Sequence, residues 1–333
     1  MKAWLLPVFV LVLSACSHPA APPEAPPAEN FVQLERNTEF DGVNLRFFVT
    51  LDDGTVASVN TTDDLIEARP GATPVPGHRA RAATFLKETR AGTSVAHSLL
   101  SWDPENPTDY IVFGWWTQFA GQHPPELSFE DSEQYALIDG PELDHGVVPE
   151  LPVEGTARYA GPAGGLYTYE AGSDWGEDEG VFVIDEYVGT ATLTADFADG
   201  TLRGCIGCVG DLITQRAHFG VFLGSALRDV QATAADYELH LATAIVREDG
   251  TFERGRLTVR HPERTITRSE GAWGGALSSR RDAEGNPRLV AGFNSVDFRE
   301  GDGSEGQFVG SFLGLSEPFT QTGESEPLPG DGN

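Results

Sequence analysis

Residues 305–314 read EGQFVGSFLG, the clearest β-strand pattern in this chain. Successive side chains of a β-strand point to opposite faces. One face would therefore carry aromatic residues that alternate with glycine, namely Phe308, Gly310, Phe312 and Gly314. The other face would carry Gln307, Val309, Ser311 and Leu313. Aromatic side chains spaced by glycine suit the crowded interior of a small closed β-barrel, so the stretch predicts one strand of such a barrel.

The segments before this strand repeat the same pattern. Alternating runs occupy residues 154–170, 189–204, 237–246, 251–260, 270–279 and 287–298, and all of them except 237–246 contain glycine. Turn-forming residues separate these runs, for example Asp199-Gly200, Asp249-Gly250 and Gly301-Asp302-Gly303. Together the runs give eight or nine strands, which is enough to close a barrel. We therefore predict an eight-stranded antiparallel β-barrel over residues 151–317.

A smaller β-rich domain is predicted over residues 31–150, which makes the fold class all-β. Residues 44–51 and 55–59 flank an Asp-Asp-Gly turn and predict a hairpin. Residues 68–77 contain three prolines and predict a loop. Residues 109–118, DYIVFGWWTQ, are apolar on both faces, so we expect this strand to be covered on both sides.

The N-terminal segment predicts export. Lys2 precedes an apolar stretch that ends at Leu13-Ser14-Ala15-Cys16, a pattern typical of a secretory signal peptide over residues 1–15. The four residues resemble the lipobox of bacterial lipoproteins, in which the cysteine becomes the lipidated first residue. A buried first helix is the alternative, but Pro7 interrupts it. Residues 16–30 would then be the lipidated Cys16 followed by a Pro/Ala-rich tether.

Charge restricts the partners. The chain has 22 Lys and Arg against 51 Asp and Glu, a formal net charge of −29. This charge argues against nucleic acid, whose backbone requires cationic neutralisation, and against a body that lies flat on an anionic membrane surface. Residues 318–333 are acidic and rich in Gly and Pro, which predicts a disordered tail.

Cys205 and Cys208 form a C-x-x-C pair. In an exported protein such a pair favours a structural disulfide. Free thiols and a redox or metal site are the alternatives, although zinc would need two further ligands and the sequence offers no second C-x-x-C. Residues three apart on a regular strand face opposite ways, so a bridge requires a turn or bulge. Glycines 204, 207 and 210 permit one.

Positive charge is concentrated in one part of the chain. The residues are Arg254, Arg256, Arg260, Arg264, Arg268, Arg280 and Arg281. Cross-strand pairing with carboxylates on the barrel exterior is the preferred interpretation. An anion-binding or lipid-facing patch is the functional alternative.

The remaining residues that could take part in catalysis or metal binding do not indicate a functional site. Residues 174–179, DWGEDE, offer oxygen ligands but lack the spacing of a calcium loop, so a solvated loop is favoured over a calcium site or a partner contact. The eight histidines are scattered, and Ser94 near His97 is not in a nucleophile elbow. We predict no catalytic residue, no metal site and no cofactor, and no partner-binding residue is identified.

Several segments resemble the β-barrel domain of transferrin-binding protein B and related surface lipoproteins. The resemblance covers about residues 105–315 and rests on the following motifs: residues 155–167, residues 191–197 followed by DGTLRG (199–204), GAWGG (271–275), VAGF (290–293), GQFVGSFLG (306–314) and, upstream, FGWW (113–116). The resemblance implies an outer-membrane lipoprotein in which a handle-like domain, here 31–150, precedes an eight-stranded barrel. It also implies capture of a host or environmental protein or solute, such as an iron or haem carrier.

The functional expectation is therefore a non-enzymatic binding protein. It would be anchored to the bacterial outer membrane through the lipid on Cys16, on the periplasmic or the cell-surface side. A carrier of a small ligand inside the barrel is one alternative, and Phe308, Phe312 and Trp273 would exclude it if they fill the interior. An envelope structural lipoprotein is the other alternative.

Overall fold

The computed structural model describes residues 38–71, 75–124, 127, 132–143, 147–173, 176, 180, 182–215 and 234–316. The predicted signal peptide (1–15), Cys16 with its tether (16–30) and the predicted tail (318–333) lie outside these residues. The described part contains no α-helix, and none of its helical segments has the length and apolar character needed to cross a bilayer.

A closed barrel forms the larger part of the fold. Its eight long strands are β9 (Thr156–Glu170), β10 (Phe182–Asp196), β11 (Thr201–Ile206), β13 (Glu238–Ile245), β14 (Thr251–Arg260), β15 (Ile266–Leu277), β16 (Leu289–Glu300) and β17 (Glu305–Leu315). Neighbouring strands are antiparallel, and pairing of β10 with β11 closes the ring. The short strand β12 (Ile213–Gln215) pairs with β10 beyond the end of β11. The all-β class and the eight-stranded barrel are thus confirmed.

Aromatic side chains fill the barrel interior. Trp273, Phe308 and Phe312 are fully buried in one apolar cluster with the inward-facing tyrosines of β9 and β10. Glycine is required beside them: a Cβ on Gly310 would overlap the Tyr187 hydroxyl and a carbonyl oxygen of the neighbouring strand. The alternation of aromatic residues with glycine in EGQFVGSFLG therefore reflects close packing inside the barrel.

Two smaller sheets precede the barrel, and we call them together the handle. The three-stranded sheet consists of β1 (Thr38–Phe40), β2 (Leu45–Thr50) and β3 (Val56–Asn60). The five-stranded sheet consists of β4 (Leu65–Pro70), β5 (Arg79–Thr89), β6 (Gly92–Trp102), β7 (Tyr110–Ala120) and β8 (Ser132–Asp139). The hairpin predicted at residues 44–59 is present as β2 and β3.

The prediction of a loop over residues 68–77 is wrong for its first three residues. Residues 68–70 belong to β4, which pairs with β5 as far as Pro70 opposite Arg81. The strand tolerates Pro70 because β4 is an edge strand, where a missing backbone N–H costs no ladder hydrogen bond on the open side. Proline frequency alone therefore misplaced the strand end.

The five-stranded sheet is buried on both faces, as its apolar β7 predicted. On one face, Val112 and Trp116 pack in a cluster with Phe47 of the three-stranded sheet. On the other face, Phe113 packs in a cluster with Leu313 of the barrel, and Trp115 does so with Leu166. The molecule is thus layered as three-stranded sheet, five-stranded sheet and barrel. On the outer face of β11 and β14, Arg203, Arg256 and Arg260 are exposed.

Candidate functional site: a basic groove on the barrel exterior

A groove of about 930 Å³ runs across the outer face of β9, β10, β11, β13 and β14. Its floor is one row of directly paired residues, one from each strand, which are Ala160, Thr192, Cys205, His240 and Thr258. These side chains point outward because their strand neighbours, such as Leu193 and Leu241, belong to the interior cluster. Successive residues of these strands therefore alternate between the apolar interior and the outer face that forms the groove.

Three arginines flank this floor. Arg158 and Arg203 both pair in register with Thr194, so they lie two strands apart in the row on one side of the floor. Arg260 lies on the other side, two residues beyond Thr258 on β14. All three side chains belong to exposed residues. The two rows place the hydroxyl groups of Thr194 and Thr258 between the flanking arginines. The Thr192 hydroxyl, also in the floor, donates to the backbone carbonyl of Cys205 at 3.5 Å.

The groove has a positive local charge in an acidic protein. No aspartate or glutamate is among the described residues that line it. Within the described part of the chain, Arg158, Arg203 and Arg260 form no ion pair within 4.0 Å. The carboxylate of Glu238, opposite Arg260 in register, is held by His240 at 2.7 Å. The guanidinium groups are therefore available to an anion.

Cys205 and Cys208 are joined by a disulfide beside the groove floor, with their Cα atoms 5.8 Å apart. The bridge spans a turn in which Gly207 and Gly210 have φ values of 84° and 74°. The strand ends at Ile206 and the chain turns at Gly207, which lets two cysteines three apart in sequence meet. Cys205 is buried and Cys208 is exposed.

Some arginines of the predicted cluster form ion pairs, and others are exposed. Arg268, Arg280 and Arg281 form ion pairs with Glu270, Asp109 and Glu150 respectively. Arg256 and Arg260 are exposed, with no ion pair among the described residues, and nothing is described of the Arg254 side chain. These arginines do pair with carboxylates, but not across neighbouring barrel strands as predicted. Glu270 is on the same strand as Arg268, Asp109 is in the handle, and Glu150 precedes β9. Of the described cluster residues, only Arg260 contributes to the groove.

Arg264 belongs to a separate, partly buried arrangement at one end of the barrel interior. Its guanidinium pairs with Glu300 at 3.3 Å and lies over the rings of Tyr169 and Tyr237. Desolvation lowers the pKa of Arg264, but its interactions with Tyr237 and Glu300 outweigh this and raise the pKa above the ordinary value. Arg264 therefore contacts Glu300 and the two tyrosines and does not line the groove.

The other residues singled out by sequence are not brought together. Ser94 donates to Gln118 at 2.6 Å, whereas His97 contacts Thr84 and stacks on Trp115. The acidic loop at 174–179 lies outside the described residues except for position 176.

Sequence reasoning missed Arg158, Arg203 and His240 as members of one site. They come from three strands separated by up to 82 positions in the chain, and no local motif links them. Only the strand register, which depends on turn lengths and bulges, places them together. No protein-family model matches this chain, and no curated protein matches it significantly. The resemblance to transferrin-binding protein B therefore stays a prediction.

Proposed function

We propose that this protein is a lipid-anchored binding lipoprotein of the bacterial outer membrane that captures an anionic partner without catalysis. The groove would be the capture surface. The observation that carries this proposal is the set of three arginines, without a lining carboxylate, in a chain of net charge −29. Such a local reversal of charge favours association with anions over cations.

The filled interior supports a surface site over an internal one. Phe308, Phe312 and Trp273 occupy the space that a small ligand inside the barrel would need. An eight-stranded barrel holds a ligand only where its interior is not taken up by side chains. The groove, which is open to solvent, needs no displacement of the core.

The chemistry of the groove selects its ligand. Guanidinium groups bind carboxylate and phosphate oxygens in a two-pronged geometry, and threonine hydroxyls add further donors. Arg158 and Arg203 are two strand spacings apart, roughly 10 Å, and Arg260 lies across the floor. A partner with several anionic groups spaced along it would contact all three.

Equilibrium binding tests the proposal. Fluorescence anisotropy would follow a labelled decaglutamate titrated with the oxidised protein. We expect saturable binding that weakens about tenfold or more as salt screens the charges. Replacing Arg158, Arg203 and Arg260 together by glutamine should abolish it.

A matched control removes the same charge elsewhere. Arg46, Arg69 and Arg247 are about half-exposed and lie outside the groove. Their triple glutamine variant should bind as the wild type does. Equal binding by both triple variants would overturn the groove as the capture surface.

Whether the partner carries iron requires a separate experiment. Immobilised protein would be exposed at micromolar concentration to ferric iron carriers and to haem proteins. Retention that depends on the three groove arginines would identify an iron or haem carrier as the partner class. Retention of none of them would reject that class and leave the anion binding to be judged by the titration.

A further inference from the structure

Cys205, Cys208 and His240 form a cluster whose ligand atoms all lie within 4.8 Å of one another. His240 pairs with Cys205 across β11 and β13, and its Nε2 lies 3.9 Å from Cys208 Sγ. This cluster is at the groove floor but contains none of the three arginines. Its donor atoms are therefore different from the guanidinium groups that would bind the anion.

Glu238 supplies a fourth possible ligand. It lies two residues before His240 on β13, hence on the same outer face, and its Oε2 is 2.7 Å from His240 Nε2. Two sulfurs, one imidazole nitrogen and one carboxylate oxygen form a donor set that suits four-coordinate zinc. The sequence alone showed the two cysteines and not the other two donors.

We propose that reduction of the Cys205–Cys208 disulfide creates a site for Zn²⁺. A dithiol reductant would transfer two electrons and two protons to the disulfide, giving two thiols, and would itself become a disulfide. Zinc would then displace both thiol protons to solvent and form two Zn–S bonds. The His240 proton moves from Nε2 to Nδ1 through solvent, so that Nε2 and the Glu238 carboxylate complete the coordination.

The local structure permits this rearrangement. Tetrahedral coordination with Zn–S bonds of about 2.3 Å requires the sulfurs to separate to roughly 3.8 Å. Cys208 is exposed on a turn between Gly207 and Gly210, and the space around Gly210 is open. The turn can therefore move while Cys205 stays in β11. Metal would enter from the groove, where the His240 side chain is partly exposed.

Cobalt is the probe for this site, because tetrahedral Co²⁺ with thiolate ligands gives charge-transfer and visible d–d absorption. Full-length protein would be titrated with Co²⁺ in its reduced and oxidised forms, followed by Zn²⁺ competition. We expect one Co²⁺ per reduced chain, displaced by Zn²⁺, and no such spectrum for the oxidised chain. Absence of the thiolate bands from the reduced chain would overturn the proposal.

Variants distinguish the four-ligand site from binding to two thiols alone. His240→Ala and Glu238→Gln keep both cysteines, so circular dichroism of their oxidised forms can verify the fold. We expect His240→Ala to weaken Co²⁺ binding about 100-fold and Glu238→Gln about tenfold. His123→Ala changes an exposed histidine on the handle and should have no effect. Unchanged affinity in both His240→Ala and Glu238→Gln would contradict the assignment.

Discussion

Glu142 forms a two-armed ion pair with Arg288, in which Arg288 Nη2 lies 2.6 Å from Oε1 and Nε lies 2.8 Å from Oε2. Glu142 is the middle residue of a 3₁₀ turn, Pro141–Leu143, which follows the last handle strand, and Arg288 directly precedes β16. Ser278 also donates to the carboxylate, and Asp109 of the handle lies 3.6 Å from Arg288. This buried polar seam joins the handle to the barrel.

Replacing Glu142 by alanine should destabilise the protein by about 3 kcal/mol, because it removes the buried two-armed ion pair and leaves Arg288 only the longer contact with Asp109. Urea unfolding would measure the loss. The exposed pair of Arg247 and Glu253 is the control, since breaking it with Arg247→Gln should change stability by less than about 1 kcal/mol. Equal effects of the two variants would contradict a role for the seam in stability.

Gly310→Ala should destabilise the barrel by about 2 kcal/mol, because the new methyl group would enter the space of the Tyr187 hydroxyl. That hydroxyl is engaged with Asn294, at 2.8 Å from Nδ2, and cannot move freely. Gly301→Ala is a matched control whose Cβ would meet Thr265 only at ordinary contact distance, 3.7 Å. Thermal unfolding of both variants would show whether the glycine spacing serves interior packing.

Stability should fall as the pH decreases below the ordinary histidine pKa of 6.5. Desolvation, followed by the charge of Arg264, lowers the pKa of His261 in the folded protein. In addition, His261 Nδ1 accepts backbone N–H groups of Glu263 and Arg264, both at 3.1 Å, so protonation there would remove two hydrogen bonds.

The unfolded chain therefore takes up the proton first as the pH falls, and the free energy of unfolding decreases from pH 6.5 down through the folded pKa. His78, whose pKa burial also lowers, adds to the same trend. A double variant, His78→Gln with His261→Gln, should show a weaker pH dependence of urea unfolding over this range. An unchanged slope would exclude both histidines as its source.

Cys16→Ser should release the protein from the membrane, since the predicted lipid would have no attachment point. Metabolic labelling with palmitate would measure the loss of the lipid, and fractionation would measure the release from the membrane. Ser17→Ala changes the neighbouring residue and should leave label and location unchanged. Palmitate label retained by Cys16→Ser would show that the lipid is attached at another residue.

The barrel was predictable because its signal is local. Alternation of aromatic residues with glycine at 305–314 requires only strand geometry, and the DYIVFGWWTQ segment showed its double burial in the same way. Strand ends were harder, as Pro70 at the edge of a sheet showed, because edge position depends on partners that sequence does not reveal.

The groove and the cysteine–histidine cluster could not be predicted from single segments. Arg158, Arg203 and Arg260 meet only through the register of five strands, and β11 and β13 contain a register shift between Leu202 and Gly204. Slipping one strand by a single residue would turn His240 into the interior. The sequence therefore predicted the cysteine pair but not the histidine and glutamate beside it.

We propose that an anionic partner binds across the three arginines of the groove. Footprinting with phenylglyoxal, an arginine-selective reagent, followed by mass spectrometry tests this directly in the presence and absence of decaglutamate. We expect the probe to slow modification of Arg158, Arg203 and Arg260 while Arg46, Arg69 and Arg247 react at unchanged rates. Protection confined to the second group, or none at any arginine, would contradict it.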